Sequence, residues 1–92
     1  MLPKNLEVTF LTNSGTEAIE GAMKLAKRYT KKSNFIAAKN SYHGSTQGAL
    51  SLLGVKNQKK GYGPLLPKVN FIDFNSNKDL IKIDSNTAAV IL

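Results

Sequence analysis

The sequence predicts an α/β fold: a mostly parallel sheet with flanking helices. Three observations predict it. Residues 7–39 change hydrophobic period from strand-like to helical and back, the pattern of a βαβ unit. Two further apolar runs, "VNFIDF" at 69–74 and "TAAVIL" at 87–92, each follow a segment of loop or short-helix character. The last run is apolar at nearly every position, as expected of a strand covered on both faces.

The elements follow in order. "EVTFL" at 7–11 is a short β-branched and apolar run, hence a strand. Residues 12–15 form a turn. From Thr16 the period becomes helical, with Ala18, Ala22, Leu25, Ala26 and Tyr29 on one face. Glu17 and Glu20 fall in the first turns, and Lys27, Arg28, Lys31 and Lys32 close the helix, both placements suited to its dipole. "NFIAAK" at 34–39 is the second strand and completes the βαβ unit, a connection that is nearly always right-handed. "NSYHGST" at 40–46 is a polar turn. Ser45 or Thr46 is placed to cap a helix through "QGALSLL" at 47–53, with Gly54 as its stop. Residues 55–67 hold two glycines and two prolines and read as a loop. "SNKDLIKID" at 76–84 is a short helix capped by Ser76 or Asn77. The strand at 87–92 has no turn or covering helix after it. This predicts a segment of a larger domain, and such a sheet alone is expected to aggregate or stay molten because its apolar edges and faces are bare.

Composition narrows the function classes. The 92 residues make one small domain or part of a larger one, and 41% hydrophobic with 21% charged residues is ordinary for a globular chain. The chain has no cysteine, which excludes disulfides, a thiol nucleophile and a thiolate metal site. No apolar run approaches the roughly 18 residues of a membrane span. The lack of cysteine fits a cytosolic protein, and the first ten residues lack the apolar core of a secretory signal. The net charge is +7, but the lysines are scattered over helix ends and loops, as on a solvated surface. No zinc-finger spacing or RNA-recognition signature accompanies them, so nucleic acid is not an expected partner.

Two stretches carry chemistry. In "TNSGT", 12–16, a strand-like run gives way to a helix whose first amides lack intrahelical partners and whose dipole is positive there. Gly15 has no Cβ to keep a ligand from the backbone, and Ser14 and Thr16 add hydroxyls. A phosphate or carboxylate suits such a turn. A plain helix cap explains it equally well, and neither a Walker A loop nor GxGxxG is present. The second stretch is "SYHGSTQGA" at 41–49. Tyr42 offers a flat face to a ring, His43 a donor or acceptor, and Gly44 a tight turn. A core tyrosine beside a lone turn histidine is the alternative.

"NSGTEAIEGAMKLAKRYT" at 13–30 followed by "YHGSTQGALSLLG" at 42–54 resembles the class III (ornithine-type) aminotransferases, fold-type I enzymes that use pyridoxal 5'-phosphate. "YGPLLP" at 62–67 and "TAAVIL" resemble the same family, nearest its acetylornithine/succinylornithine subgroup. The resemblance implies that 1–92 is an incomplete segment of the cofactor-binding large domain. It implies that Gly15 and Thr16, with Ser14 beside them, hold the cofactor phosphate. Tyr42 matches the aromatic residue that stacks on the pyridine ring, and His43 and Gly44 match the positions after it. Glu17, Glu20 and Lys24 also match the motif and are read as helix support. Ser45 stands where acetylornithine enzymes often carry an arginine for the substrate carboxylate. A serine cannot form a bidentate charged clamp, and Arg28 is the only arginine in the chain. The family's cofactor-bearing lysine and the acid on the pyridine nitrogen are expected after residue 92. No residue here is therefore assigned a catalytic role, and none a metal. The full-length protein is expected to move an amino group from an ornithine-like or other ω-amine donor to a 2-oxo acid. It is expected to do so in arginine biosynthesis, as a cytoplasmic homodimer. The alternative is a non-catalytic module that binds a sugar phosphate or nucleotide at the same turn.

Overall fold

Phe35, Ile36, Ala37 and Ala38 form an unbroken apolar run, and all four are buried in the strand Asn34–Ala38, β1. Burial on both faces is what a central parallel strand requires. The computed structural model describes residues 3–92 and places β1 between two parallel neighbours, β2 (Val69–Ile72) and β3 (Thr87–Ile91). Phe35 pairs with Val69 on one side and Ala89 on the other; Ala37 pairs with Phe71 and Ile91. These residues share one sheet face, so β1 sets the register of a continuous apolar surface.

Helix α1, Gly15–Thr30, covers that face. Met23 joins Phe35, Ala37 and Leu52 in the core, with Ile19 and Ala26 packed at its margin. The buried stripe is therefore Ile19, Met23 and Ala26; of the expected face Ala18, Ala22, Leu25, Ala26 and Tyr29, only Ala26 packs on the core. Leu25 and Tyr29 are exposed. The helix carries two apolar stripes, and the larger, less interrupted Ile–Met stripe is the one the sheet takes. Ser14 is its N-cap and accepts from the Glu17 amide at 3.2 Å, while Glu17 Oε2 accepts from the Asn13 amide at 2.8 Å. This reciprocal pair is a close variant of the capping box. At the other end Lys31 turns left-handed and its amide closes on the Lys27 carbonyl.

The short helix α2 spans Gln47–Ser51, within the expected 47–53, and Leu52 and Leu53 complete its turn inside the core. Gly54 then packs directly on the backbone of 38–41: a Cβ there would overlap the Asn40 and Ser41 nitrogens and the Ala38 oxygen. The loop 55–67 contains a 3₁₀ turn at Lys56–Lys59, and the expected helix at 76–84 is a 3₁₀ turn, Asn77–Lys82. Ser76 stands at the cap position of that turn without a side-chain cap bond.

One expected element does not form. Segment 7–11 is irregular and exposed, with Val8, Phe10 and Leu11 each more than four-fifths open. The βαβ unit expected at 7–39 thus lacks its first strand here. A β-branched run supplies propensity but not a partner for its amides and carbonyls, and both sides of β1 are taken. The parallel pairs that do form are β1 with β2, linked through α2, and β1 with β3, reached from β2 through the second 3₁₀ turn.

Candidate functional site

The site residues lie where α1 begins and where the chain leaves the carboxyl end of β1. In the first turn of α1, Ala18 closes the first intrahelical bond to the Ser14 carbonyl, 3.1 Å away, and Glu17 is satisfied by the Ser14 hydroxyl. The amides of Gly15 and Thr16 are left without a protein partner among the described residues. Space around Gly15 is open: a Cβ there would meet nothing within 4 Å. Ser14 Oγ accepts from Glu17 yet keeps its own proton to donate. The turn is thus a helix cap and an open set of donors at once; the cap uses Ser14 as acceptor and leaves Gly15 and Thr16 free.

The second turn meets the first at one point. Gly44 has φ +127°, a conformation that side chains with a Cβ rarely adopt, and its Cα faces Thr16. A Cβ at Gly44 would overlap the Thr16 side chain and press on Ala49. Two stretches 28 positions apart in sequence are brought into van der Waals contact by a glycine that has room for nothing else.

Tyr42 and His43 sit on that same loop. The Tyr42 hydroxyl lies 3.2 Å from Ser45 Oγ, and the residue is 68% exposed. Its ring lines a cleft of about 390 Å³ together with Ser45, Gln47, Gln58 and Tyr62. Residues 14–16 do not line that cleft, so the two turns touch through Gly44 and Thr16 rather than through the Tyr42 ring. His43 Nε2 is buried and has no hydrogen-bond partner among the described residues. Burial holds the imidazole below its ordinary pKa of 6.5, so it is neutral at pH 7.

Sequence reasoning missed the contact that docks the loop. Thr46 holds the N-cap position of α2, but its hydroxyl caps nothing. It donates instead to Glu20 Oε1 at 2.5 Å, and the same oxygen accepts from the Gly48 and Ala49 amides at 2.9 and 3.1 Å. The α2 cap is therefore a carboxylate from α1. Glutamate at the sixth residue of a helix reads as dipole support, and nothing local in the sequence reports a second helix 26 residues on.

The comparisons with known proteins bear on this arrangement. The family model for aminotransferase class-III matches residues 1–92. The chain belongs to the class-III aminotransferases. It is 44% identical over 98% of its length to the LysW-aminoadipate semialdehyde/glutamate semialdehyde transaminase of Sulfolobus acidocaldarius. It is 45% identical over 92% of its length to the acetylornithine aminotransferase of Lactiplantibacillus plantarum. It spans 23% and 22% of those two proteins. Among solved structures, the ornithine aminotransferase of Toxoplasma gondii, crystallized with partial occupancy of PLP at its active site, superposes with a TM-score of 0.76. That match covers 86% of this chain and 21% of the other, at 28% identity. The α/β class with a parallel sheet and flanking helices is thus the fold of class-III transaminases. No helix among the described residues is long and apolar enough to cross a membrane.

Proposed function

We propose that this chain is part of the cofactor-binding large domain of an aminotransferase, and that it holds the phosphate and one ring face of pyridoxal 5'-phosphate. The observation that carries the reading is the meeting of the two turns: open Gly15 and Thr16 amides on one, Tyr42 and His43 on the other, joined at Gly44. The residues fit the group. Two unpartnered amides and the Ser14 proton are donors for a phosphate dianion at the positive end of a 16-residue helix. The exposed Tyr42 ring suits an aromatic heterocycle, and the partnerless His43 Nε2 is a neutral polar group at the same loop.

When bound, the cofactor supplies an aldehyde that takes up the amino group and a ring that accepts electrons from Cα. This chain's residues bind and orient. The Gly15 and Thr16 amides fix the phosphate, and fixing one end of a rigid molecule fixes the reach of the other. Proton transfer belongs to residues outside this segment, the cofactor-bearing lysine among them.

The names of the acetylornithine and ornithine aminotransferases it is similar to support an ω-amine donor of the ornithine type; a 2-oxo acid acceptor and a cytoplasmic homodimer serving arginine biosynthesis are what the family resemblance implies. At position 45 a carboxylate clamp is replaced by a hydroxyl that faces Tyr42. Recognition of the donor's carboxylate then differs from that pattern, or another arginine of the full-length protein serves. The test is to purify the full-length protein that carries this chain, strip it, and titrate pyridoxal 5'-phosphate against unphosphorylated pyridoxal and a sugar phosphate. Amino transfer from acetylornithine, succinylornithine and ornithine to a panel of 2-oxo acids is assayed alongside. Phosphate-dependent cofactor binding with transfer from at least one donor is expected. Equal affinity for the sugar phosphate with no transfer would replace this reading with a plain phosphate-binding module.

A further inference from the structure

We propose that Glu20 is a positioning residue: its carboxylate holds the Tyr42–Ser45 loop against the Gly15–Thr16 turn, and so sets the distance between phosphate donors and ring platform. The inference rests on the cofactor reading above for its consequence, but its structural part stands on separate contacts.

The loop is tied at two ends. At its start Ser41 Oγ donates to the Ala38 carbonyl at 2.6 Å, and the Ser41 carbonyl accepts from the Gly54 amide at 3.0 Å. At its end the Thr46 hydroxyl and the Gly48 and Ala49 amides converge on the single oxygen Oε1 of Glu20. Thr16 and Glu20 are one helical turn apart and share a face of α1. Gly44 seated on Thr16, and 46–49 hung on Glu20, therefore dock the loop on the helix at two points. Gly48 is shaped for this contact, because a Cβ there would overlap the Glu20 carboxylate. Without that oxygen, two part-buried amides and a hydroxyl lose their acceptor together, and the loop keeps only its Ser41 ties and the packing of Gly44 on Thr16.

The test uses the full-length protein stripped of cofactor. Two ligands are titrated: pyridoxine 5'-phosphate, which has the ring and phosphate but no aldehyde, and inorganic phosphate, which needs only the α1 turn. Glu20→Ala should lower affinity for pyridoxine 5'-phosphate by about tenfold while phosphate changes by less than about twofold, since only the ring contact is displaced. Amide exchange over 41–49 should quicken while β1 keeps its protection. Glu20→Gln retains a carbonyl oxygen for the same three donors and should stay within about threefold of the parent on both readouts. The proposal is overturned by any of three results. One is an Ala variant with unchanged ligand preference and unchanged exchange. Another is an Ala variant that loses β1 protection along with the loop or fails to fold, which marks a general packing role. The third is a Gln variant as impaired as the Ala variant. If the parent itself shows no preference for pyridoxine 5'-phosphate, the cofactor reading fails, and exchange over 41–49 alone decides the role of Glu20.

Discussion

Replacing Gly44 by alanine perturbs the contact between the two turns directly. Two penalties add. Gly44 has φ +127°, and a residue with a Cβ held in a sparsely populated region costs about 1–3 kcal/mol. The new Cβ also overlaps the Thr16 side chain and presses on Ala49, and overpacking of this kind costs about 1–3 kcal/mol. If the loop stayed in place the sum would be about 2–6 kcal/mol, a large share of the roughly 5–15 kcal/mol that holds a domain together. The loop relieves both penalties by moving off α1, and the proposed cofactor site opens. The weakening of pyridoxine 5'-phosphate binding should then be at least about thirtyfold, the equivalent of about 2 kcal/mol. Gly61 is the control. It also has a positive φ, +89°, but a Cβ there meets nothing within 4 Å. Gly61→Ala should carry only a backbone cost of about 1–2 kcal/mol and leave ligand affinity unchanged. The assay is titration of the stripped full-length protein, with urea unfolding for stability. A Gly44→Ala protein that binds within about threefold of its parent would refute the claim that this glycine joins the two turns.

Four further outcomes follow from the same structure. Gly54→Ala places a Cβ against the backbone of 38–41, which has no rotamer to yield, so urea unfolding should show a loss of about 1–3 kcal/mol. Phe35→Ala empties the centre of the core and should cost about 3–5 kcal/mol in the same experiment. Burial lowers the pKa of His43, so the unfolded chain takes up its proton first as the solution is acidified. Stability from this group is full above the ordinary value of 6.5 and is lost as pH falls below it; a His43→Gln protein, compared at about pH 7.5 and about pH 5, should lack that part of the acid loss. The 92-residue chain alone, with Val8, Phe10, Leu11, Leu25 and Ile81 exposed, should bind a hydrophobic dye and melt without a sharp transition, and a cooperative calorimetric peak would contradict this.

The sheet was legible because its strands are nearly continuous apolar runs. The sequence "NFIAA" admits no solvated face, and "VNFI" and "TAAVI" pair on either side of it, the latter with a register shift at Asn34/Phe35. The start of α1 was legible because Ser14, Gly15 and Glu17 are local signals whose meaning lies within one turn. The segment 7–11 was misread because strand formation needs a neighbour, which propensity does not supply. The buried face of α1 was misread because two apolar stripes compete there, and only the sheet decides between Met23 and Leu25. At the candidate site, Gly15, Thr16 and Tyr42 are singled out by residue type and by the family resemblance, and the structure seats Gly44 of the Tyr42 loop against Thr16. Glu20 and Gly48 were not, because a carboxylate that caps a distant helix looks in sequence like one that steadies its own.

The central claim concerns one place: the amides of Gly15 and Thr16 hold the cofactor phosphate beside the loop of Tyr42. A crystal structure of the full-length protein with pyridoxal 5'-phosphate measures it most directly. Phosphate oxygens should lie within hydrogen-bonding distance of both amides, with the Tyr42 ring lying against the pyridine face. A phosphate bound away from residues 14–16, or a Tyr42 ring still turned toward Ser45 and Tyr62 with the cofactor in place, would contradict the account.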